Sequence, residues 1–234
     1  METQLSQKKI DIPVLILCYD RPDLLTVLLR ILEKYNVNNI YISQDGYSGD
    51  NHLIIKRHNE VKKIIKKFGN QKKIKTNFFK KNLGKQIAPP KGIDWFFKNV
   101  NKGIILEDDT IPSKTFFNFC EKLLKLHKND KKIFQICGSG TLSKNFGAIT
   151  YLSSIPWMHG WATWRDRWKK YNYKINDTKK IKKDKNFLKN VTLFFGRLYW
   201  LSLFKEFEQG KHKTWDYTIV NDCLIKDKKC IKPS

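Results

Sequence analysis

Three adjacent carboxylic acids, Glu107, Asp108 and Asp109, follow the apolar run at residues 103–106 and have the clearest potential for chemistry in this sequence. Like charges side by side disfavour the ionisation of at least one member unless a cation compensates them. Mg²⁺ and Mn²⁺ do so readily, because hard cations prefer carboxylate oxygens and often take only one or two from the protein. The triplet therefore predicts a divalent metal site, and the alternative is an acidic turn neutralised by lysines.

Polar side chains also follow two apolar runs earlier in the chain. Residues 12–18 and 40–43 have the branched, apolar composition of buried strands. The polar residues that come after them are Tyr19, Asp20, Arg21, Gln44 and Asp45. Because parallel strands end at one edge of a sheet and ligands bind outside that edge, we expect these residues to lie near the acidic triplet.

Strands alternate with helices up to about residue 137, which predicts an α/β fold with a mainly parallel sheet flanked by helices. We expect strands at 12–18, 40–43, 74–79, 103–106 and 133–137, and helices at 22–36, 52–68, the part of 85–100 after Pro89 and Pro90, and 113–127. A Trp-rich segment, a Lys-rich stretch at 169–189 and two apolar segments at 191–204 and 214–225 follow. The Lys-rich stretch is expected to be a solvated connection. We predict one compact domain, with an α/β region at 1–156 and a C-terminal helical lobe within 157–234.

Glycine motifs that hold phosphates are missing. The sequence contains no G-x-x-x-x-G-K-[ST] loop, and Gly138-Ser139-Gly140 lacks the third glycine of a dinucleotide-binding fingerprint. A diphosphate bound by this protein would therefore need a metal ion as its main counter-charge.

The 234 residues include 46 Lys and Arg against 22 Asp and Glu, which gives a net charge of +24. Basic proteins bind nucleic acids by releasing counterions from phosphates, so a nucleic-acid-binding protein is one hypothesis. However, the lysines are scattered along the whole chain, and no recognised DNA- or RNA-binding module occurs. We therefore expect no specific nucleic-acid partner.

Cysteine usage and hydropathy bear on the compartment. The five cysteines form no C-x-x-C pair, and their odd number favours reduced thiols in the cytoplasm. The polar N-terminus and the lack of 18 consecutive apolar residues predict a protein that is neither exported by a signal peptide nor membrane-spanning. Residues 191–204 are read either as a core helix or as a helix in a membrane interface, which would place the protein peripherally on the inner face of a membrane.

Seven segments together resemble the GT-A-type glycosyltransferases, specifically nucleotide-sugar transferases similar to N-acetylglucosaminyltransferase I and to bacterial relatives in surface-polysaccharide clusters. The segments occur in the family's order. They are PVLILCYDRPDLL (13–25), ISQDG (42–46), NLGKQ (82–86), GIDWFF (92–97), GIILEDDTIPSKTFF (103–117), HGWATWRDRW (159–168) and TWDY (214–217).

The resemblance implies a Rossmann-like GT-A fold and metal-dependent transfer from a UDP-sugar to an acceptor hydroxyl, with inversion. It implies Mn²⁺ or Mg²⁺ as cofactor, a UDP-hexose such as UDP-N-acetylglucosamine as donor, and a saccharide or lipid-linked saccharide as acceptor. In this family pattern, Asp109 coordinates the metal and Asp45 reads the uracil edge. The other donor-side positions are Cys18, Tyr19, Arg21, Lys85, Glu107 and Asp108, and the sugar-pocket positions are Gly160, Trp161 and Trp164.

Direct displacement requires a carboxylate that takes the proton of the acceptor hydroxyl. Asp216 stands in a Trp-Asp context similar to the family's base-bearing segment, although some relatives carry an acid where Tyr217 stands. The alternatives are that Asp216 caps a helix and that the tryptophans are core packing. No late residue matches the family's third metal-side group, so a catalytically inactive sugar-nucleotide-binding homologue is a further hypothesis.

Overall fold

A computed structural model describes residues 9–47, 49–71, 74–140, 150–171, 174–175 and 177–234. The strands are β1 (Val14–Cys18), β2 (Ile40–Gln44), β3 (Ile74–Phe78), β4 (Lys102–Glu107), β5 (Ile133–Cys137), β6 (Thr150–Ser153), β7 (Trp161–Trp164) and β8 (Lys229–Pro233). The helices are α1 (Pro22–Lys34), α2 (His52–Gln71), α3 (Ala88–Asn99), α4 (Lys114–Leu126), α5 (Arg165–Trp168), α6 (Thr178–Lys183), α7 (Lys185–Asn190), α8 (Phe194–Glu208) and α9 (Asp216–Ile225).

The described strands form a single eight-stranded sheet in the order β3-β2-β1-β4-β7-β5-β8-β6. Strands β3, β2, β1 and β4 are parallel to one another, as in a Rossmann-like fold, and β5 is parallel to β8. Strand β7 runs antiparallel between β4 and β5, and β6 runs antiparallel to β8 at the edge. The predicted α/β class, with a mainly parallel sheet flanked by helices, is confirmed.

Both faces of the sheet are covered, which explains the continuous apolar strands. Val14 and Ile16 of β1 belong to a core cluster with buried residues of α1, α2 and α4. Leu15 and Leu17 point the other way, into a cluster with α3 and the tryptophans Trp161, Trp168 and Trp215. Successive side chains of a strand alternate between faces, so one short strand supplies both cores.

Two helix starts show how local sequence positions the site. Helix α1 has Pro22 in its first turn, and α3 begins at Ala88 with Pro89 and Pro90 in its first turn. The prediction that these two prolines delay the start of α3 was wrong. First-turn N–H groups have no partner within the helix, so proline is tolerated there.

The C-terminal part contains more regular structure than predicted. Strands β7 and β8 join the central sheet, so this part is more than a helical lobe. The expected solvated connection at 169–189 includes α6 and part of α7, and Ile181 and Phe187 in these helices are buried. The proposed division into regions 1–156 and 157–234 stays a prediction.

No helix within the described ranges combines the length and the apolar character that crossing a membrane requires. All five cysteines are buried and free.

Candidate active site

The ends of β1, β2 and β4 bring the three polar sets together at one edge of the sheet. Leu17 pairs in register with both Ser43 and Glu107. Beyond the strands, the Asp45 N–H donates to the carbonyl of Cys18 at 3.2 Å, and the Asp108 N–H donates to the carbonyl of Leu17 at 3.1 Å. The backbone ladder therefore continues past the strand ends and fixes both acidic segments beside β1.

A cavity of about 490 Å³, here called the Asp45 cleft, opens at this edge. This volume is in the range of sites for small ligands. Six predicted donor-side residues line it, together with Ser43, Ile54, Phe79, Asn82 and others; the six are Cys18, Tyr19, Arg21, Asp45, Lys85 and Glu107. Burial raises the pKa of the Cys18 thiol, so Cys18 presents a neutral thiol to the cleft.

Asp45 organises one wall of this cleft. Its carboxylate accepts hydrogen bonds from the backbone N–H groups of Gly46, Leu83 and Gly84 at 2.8, 2.9 and 2.9 Å. A Cβ atom on Gly46 would lie 2.4 Å from the backbone of Lys81, so glycine permits this close approach of the two loops. Asp45 thus anchors the loop after β3, and its contact with a uracil edge stays a prediction.

The acidic triplet is held by one arginine. The Arg21 guanidinium forms ion pairs with Asp108 and, at 2.8 Å, with Asp109. Burial raises the pKa of Glu107 to about 7, with further contributions from the charges of Asp109 and Asp108. Burial also raises the pKa of Asp108 to about 6, although Arg21 acts in the opposite direction. Ionisation of both acids is therefore disfavoured at this strand end, even with Arg21 beside them.

A second cavity of about 600 Å³, the Asp216 cleft, adjoins the first. The two clefts share Lys85, Pro89 and Glu107 as lining residues. The charge of Asp216 makes a small contribution to the raised pKa of Glu107, after burial and the charges of Asp109 and Asp108. The two clefts therefore meet at the three lining residues that they share.

Asp216 lies in the first turn of α9 and lines the second cleft. Its carboxylate accepts a hydrogen bond of 2.5 Å from the Thr214 hydroxyl. The N-cap residue of α9 is Trp215, so the alternative that Asp216 caps the helix is wrong. Tyr217 lines the same cleft, and burial raises the pKa of its hydroxyl, so it offers no carboxylate or phenolate base near neutral pH.

A third cavity of about 520 Å³, the Asp109 cleft, contains Asp109, His159 and Gly160. His159 lines the Asp216 cleft as well, so the Asp109 cleft adjoins it at that residue. Asp109 is 45% exposed in its side chain and thus presents a solvated carboxylate to this space.

The prediction that Trp161 and Trp164 shape a sugar pocket is corrected. Trp161 is fully buried and packs between the rings of Trp168 and Trp215. Trp164 is buried and donates its ring N–H to the carbonyl of Leu124 at 3.1 Å. Core packing explains both tryptophans, and the cleft is lined instead by Trp157, Trp200 and Trp215.

No protein-family model and no curated protein matches this sequence. One solved structure that is similar to this chain is that of S. aureus TarS 1–349, with a TM-score of 0.44 and 13% sequence identity. The likeness covers 70% of this chain and 52% of the TarS chain, so this protein spans about half the length of that structure. At this TM-score it carries no argument about chemistry.

Several cleft residues were not predicted from the sequence. His159, which precedes Gly160 in the HGWATW segment, lines two clefts. Thr214 precedes the Trp-Asp pair and holds the Asp216 carboxylate. Asn82 donates to the carbonyl of Gly46 at 2.7 Å and lines the Asp45 cleft. All three residues lie in the NLGKQ, HGWATW and TWDY segments, and this position is the sequence feature that could have identified them.

A Glu107→Gln substitution should stabilise the metal-free protein at pH 8 by about 3 kcal/mol and have no such effect at pH 4. The folded-state pKa of Glu107 is about 7 against an ordinary value of 4.5. The folded protein therefore keeps a proton that the unfolded chain loses, and stability falls as the pH rises from about 4.5 through about 7. Glutamine does not ionise, so the variant does not lose stability over this pH range. Urea unfolding in EDTA at both pH values measures it.

The matched control for this experiment is Glu121→Gln, which removes an exposed carboxylate from α4. It should change the free energy of unfolding by less than about 0.5 kcal/mol at either pH. A stability difference between wild type and Glu107→Gln that is the same at both pH values would contradict the raised pKa.

Proposed function

We propose that this protein is a glycosyltransferase that moves a sugar from a UDP-sugar to an acceptor hydroxyl with inversion, with Mn²⁺ or Mg²⁺ as cofactor. The observation that carries the proposal is the junction of the Asp45 cleft and the Asp216 cleft at Lys85, Pro89 and Glu107. A group-transfer enzyme must hold donor and acceptor in adjoining sites so that the reacting atoms meet. The family resemblance of the seven segments supports the same assignment.

The donor side is the Asp45 cleft. Tyr19, Arg21 and Asp45 line it from the ends of β1 and β2, and Lys85 stands at the junction with a cation for the diphosphate or the sugar. The rest of the wall of the Asp45 cleft is largely apolar and suits the flat face of a nucleotide base. The donor's anomeric carbon would then lie near Glu107, where the two clefts meet.

The acceptor side is the Asp216 cleft, which offers aromatic side chains for a sugar ring. In the proposed reaction, the Asp216 carboxylate takes the proton of the acceptor hydroxyl as that oxygen bonds to the anomeric carbon. The bond between the anomeric carbon and the diphosphate oxygen breaks, and the nucleoside diphosphate leaves with the bonding electrons. Attack from the face opposite the leaving group inverts the anomeric configuration. Thr214 orients the carboxylate through its hydrogen bond.

The acidic triplet is suited to a hard divalent cation. Among the described residues, no three His, Cys, Asp or Glu side chains converge as a complete ligand set. Asp109, with an exposed carboxylate, matches a cation that takes one protein ligand and completes its shell with phosphate oxygens and water. Burial, and after it the neighbouring carboxylates, raises the pKa values of Glu107 and Asp108, and a bound cation would favour the ionised forms of both groups. Such an ion would supply counter-charge to the departing diphosphate.

A screen of nucleotide sugars with and without Mn²⁺, read by thermal shift and by UDP release, tests the proposal. We expect a UDP-sugar to raise the melting temperature in the presence of Mn²⁺ and to release UDP when an acceptor is supplied. A thermal shift without UDP release under any acceptor condition would indicate an inactive sugar-nucleotide-binding homologue. Salt-sensitive binding to unrelated DNA, with no shift by UDP and Mn²⁺, would overturn the proposal in favour of nucleic-acid binding.

A further inference from the structure

Helix α8 exposes apolar side chains along one side of its N-terminal half. Here the α8 patch denotes Leu193, Phe194, Phe195, Leu198 and Tyr199, which are between 49% and 82% exposed. Phe194 and Leu198 are four residues apart, as are Phe195 and Tyr199, so these four side chains lie on one face of the helix. The opposite face carries Phe204 and Phe207, which are buried in the helical lobe. A continuous exposed patch of this kind marks an interaction site.

Hydrogen bonds and ring contacts connect α8 to the rest of the helical lobe, so the patch lies on an ordered helix. The Arg197 guanidinium donates to the carbonyl of Val191 at 2.6 Å and to that of Leu188 at 2.9 Å, which fastens the first turns of α8 to the end of α7. The ring of Phe204 contacts those of Phe187 and Trp200. The apolar side chains therefore project from a packed helix.

The sequence that precedes this patch is strongly basic. Between residues 178 and 205 the sequence has one acid, Asp184, and its carboxylate caps α7 by accepting from two backbone N–H groups. The same stretch contains Lys179, Lys180, Lys182, Lys183, Lys185, Lys189, Arg197 and Lys205. Helix α6, which carries four of these lysines, packs against α8, and Thr178 at its start donates to the Glu208 carboxylate at 2.6 Å. Lys189 pairs with Asp227 at 2.8 Å. The acids of α8, Glu206 and Glu208, lie at its other end.

We infer that the α8 patch docks on the surface of an anionic lipid bilayer, with its apolar side chains in the interface and the lysines of the preceding basic stretch attracted to the headgroups. Apolar burial and attraction to anionic lipid add together in such helices. The charge also argues against a second copy of this chain as the occupant, because both copies would bring the same basic surface and a net charge of +24.

The patch is continuous with the acceptor side of the proposed active site. Tyr199 belongs to the patch and also lines the Asp216 cleft, and the next residue, Trp200, lines that cleft too. A bilayer seated on the patch would therefore lie at the rim of the cleft. Provided that the proposed function holds, this position favours an acceptor saccharide attached to a lipid.

Cosedimentation with vesicles tests the docking without any nucleotide. The full chain should sediment with vesicles of phosphatidylcholine and phosphatidylglycerol, and much less with phosphatidylcholine alone. The double variant Phe194→Ser/Phe195→Ser should lose at least about tenfold in partitioning, because each lost aromatic side chain weakens the apolar contribution. Higher salt should weaken the binding of the wild type.

The control double variant is Leu53→Ser/Leu126→Ser, which removes two apolar side chains that are 63% and 67% exposed on α2 and α4. It should bind vesicles as the wild type does. Equal vesicle binding by the wild type and Phe194→Ser/Phe195→Ser would overturn the inference, as would an absence of binding to anionic vesicles. Self-association of the wild type that the same variant abolishes, without vesicle binding, would assign the patch to a second copy instead.

The acceptor part of the inference has its own readout. With a lipid-linked saccharide in anionic vesicles, Phe194→Ser/Phe195→Ser should raise KM about tenfold, whereas UDP release with a soluble acceptor should stay unchanged. Vesicle binding without any UDP release would leave the docking intact and reject the proposed function. Equal KM values for both proteins on the lipid-linked acceptor would reject the link between docking and catalysis.

Discussion

Replacing Asp216 by asparagine should lower the rate of sugar transfer by about 10²- to 10⁴-fold while UDP-sugar binding stays unchanged. Asparagine keeps the shape of the side chain and can still accept the hydrogen bond from Thr214, but it cannot take a proton from the acceptor hydroxyl. Asp216 lines the Asp216 cleft and does not line the Asp45 cleft, so donor binding should be spared. Titration with UDP and a transfer assay under saturating acceptor separate the two effects.

A control variant separates the role of the base from that of a charge at a helix start. Asp23→Asn removes an exposed carboxylate from the first turn of α1 and should affect only stability, by about 0.3–1 kcal/mol. Transfer at the wild-type rate in Asp216→Asn would reject Asp216 as the base. The next candidate would then be Glu107, which lies at the junction of the clefts with a pKa of about 7, suited to a base at neutral pH.

The first half of the fold could be predicted from sequence because its signals are local. Val14–Cys18 is a continuous buried apolar run, and the leucines of α1 recur at helical spacing, so both signals lie within about 20 residues of sequence. The topology of parallel strands then placed Asp45 and the acidic triplet at one edge. This placement needed no knowledge of side-chain contacts.

The second half depends on long-range pairing that has no local signature. Strand β8 pairs with β5 through Ile133 and Lys229, which are far apart in the sequence, and β7 inserts between β4 and β5 as four buried residues. A buried strand this short cannot be told from a turn by periodicity. The same limit applies to Trp161 and Trp164, whose burial follows from that insertion, and to the ion pair of Arg21 with Asp109.

Replacing Asp109 by alanine should lower Mn²⁺-dependent transfer by roughly 10³-fold, the equivalent of about 4 kcal/mol of transition-state stabilisation. In the proposed site Asp109 is the protein ligand of the cation, so its loss removes the counter-charge of the leaving diphosphate. Folding should be little affected, because a half-exposed ion pair with Arg21 contributes about 0–1 kcal/mol. UDP release at increasing Mn²⁺ concentration, with and without EDTA, measures the effect.

Asp166→Ala is a closely matched control for Asp109→Ala. The Asp166 side chain is 47% exposed and pairs with Lys131 and Arg167, whereas Asp109 is 45% exposed and pairs with Arg21. Asp166 lines none of the three clefts that meet at the candidate site, so its loss should leave transfer at the wild-type rate. If EDTA leaves wild-type transfer intact and Asp109→Ala is as active as Asp166→Ala, the metal role fails. Arg21 would then be the cation that faces the leaving group, since it already pairs with two of the three acids.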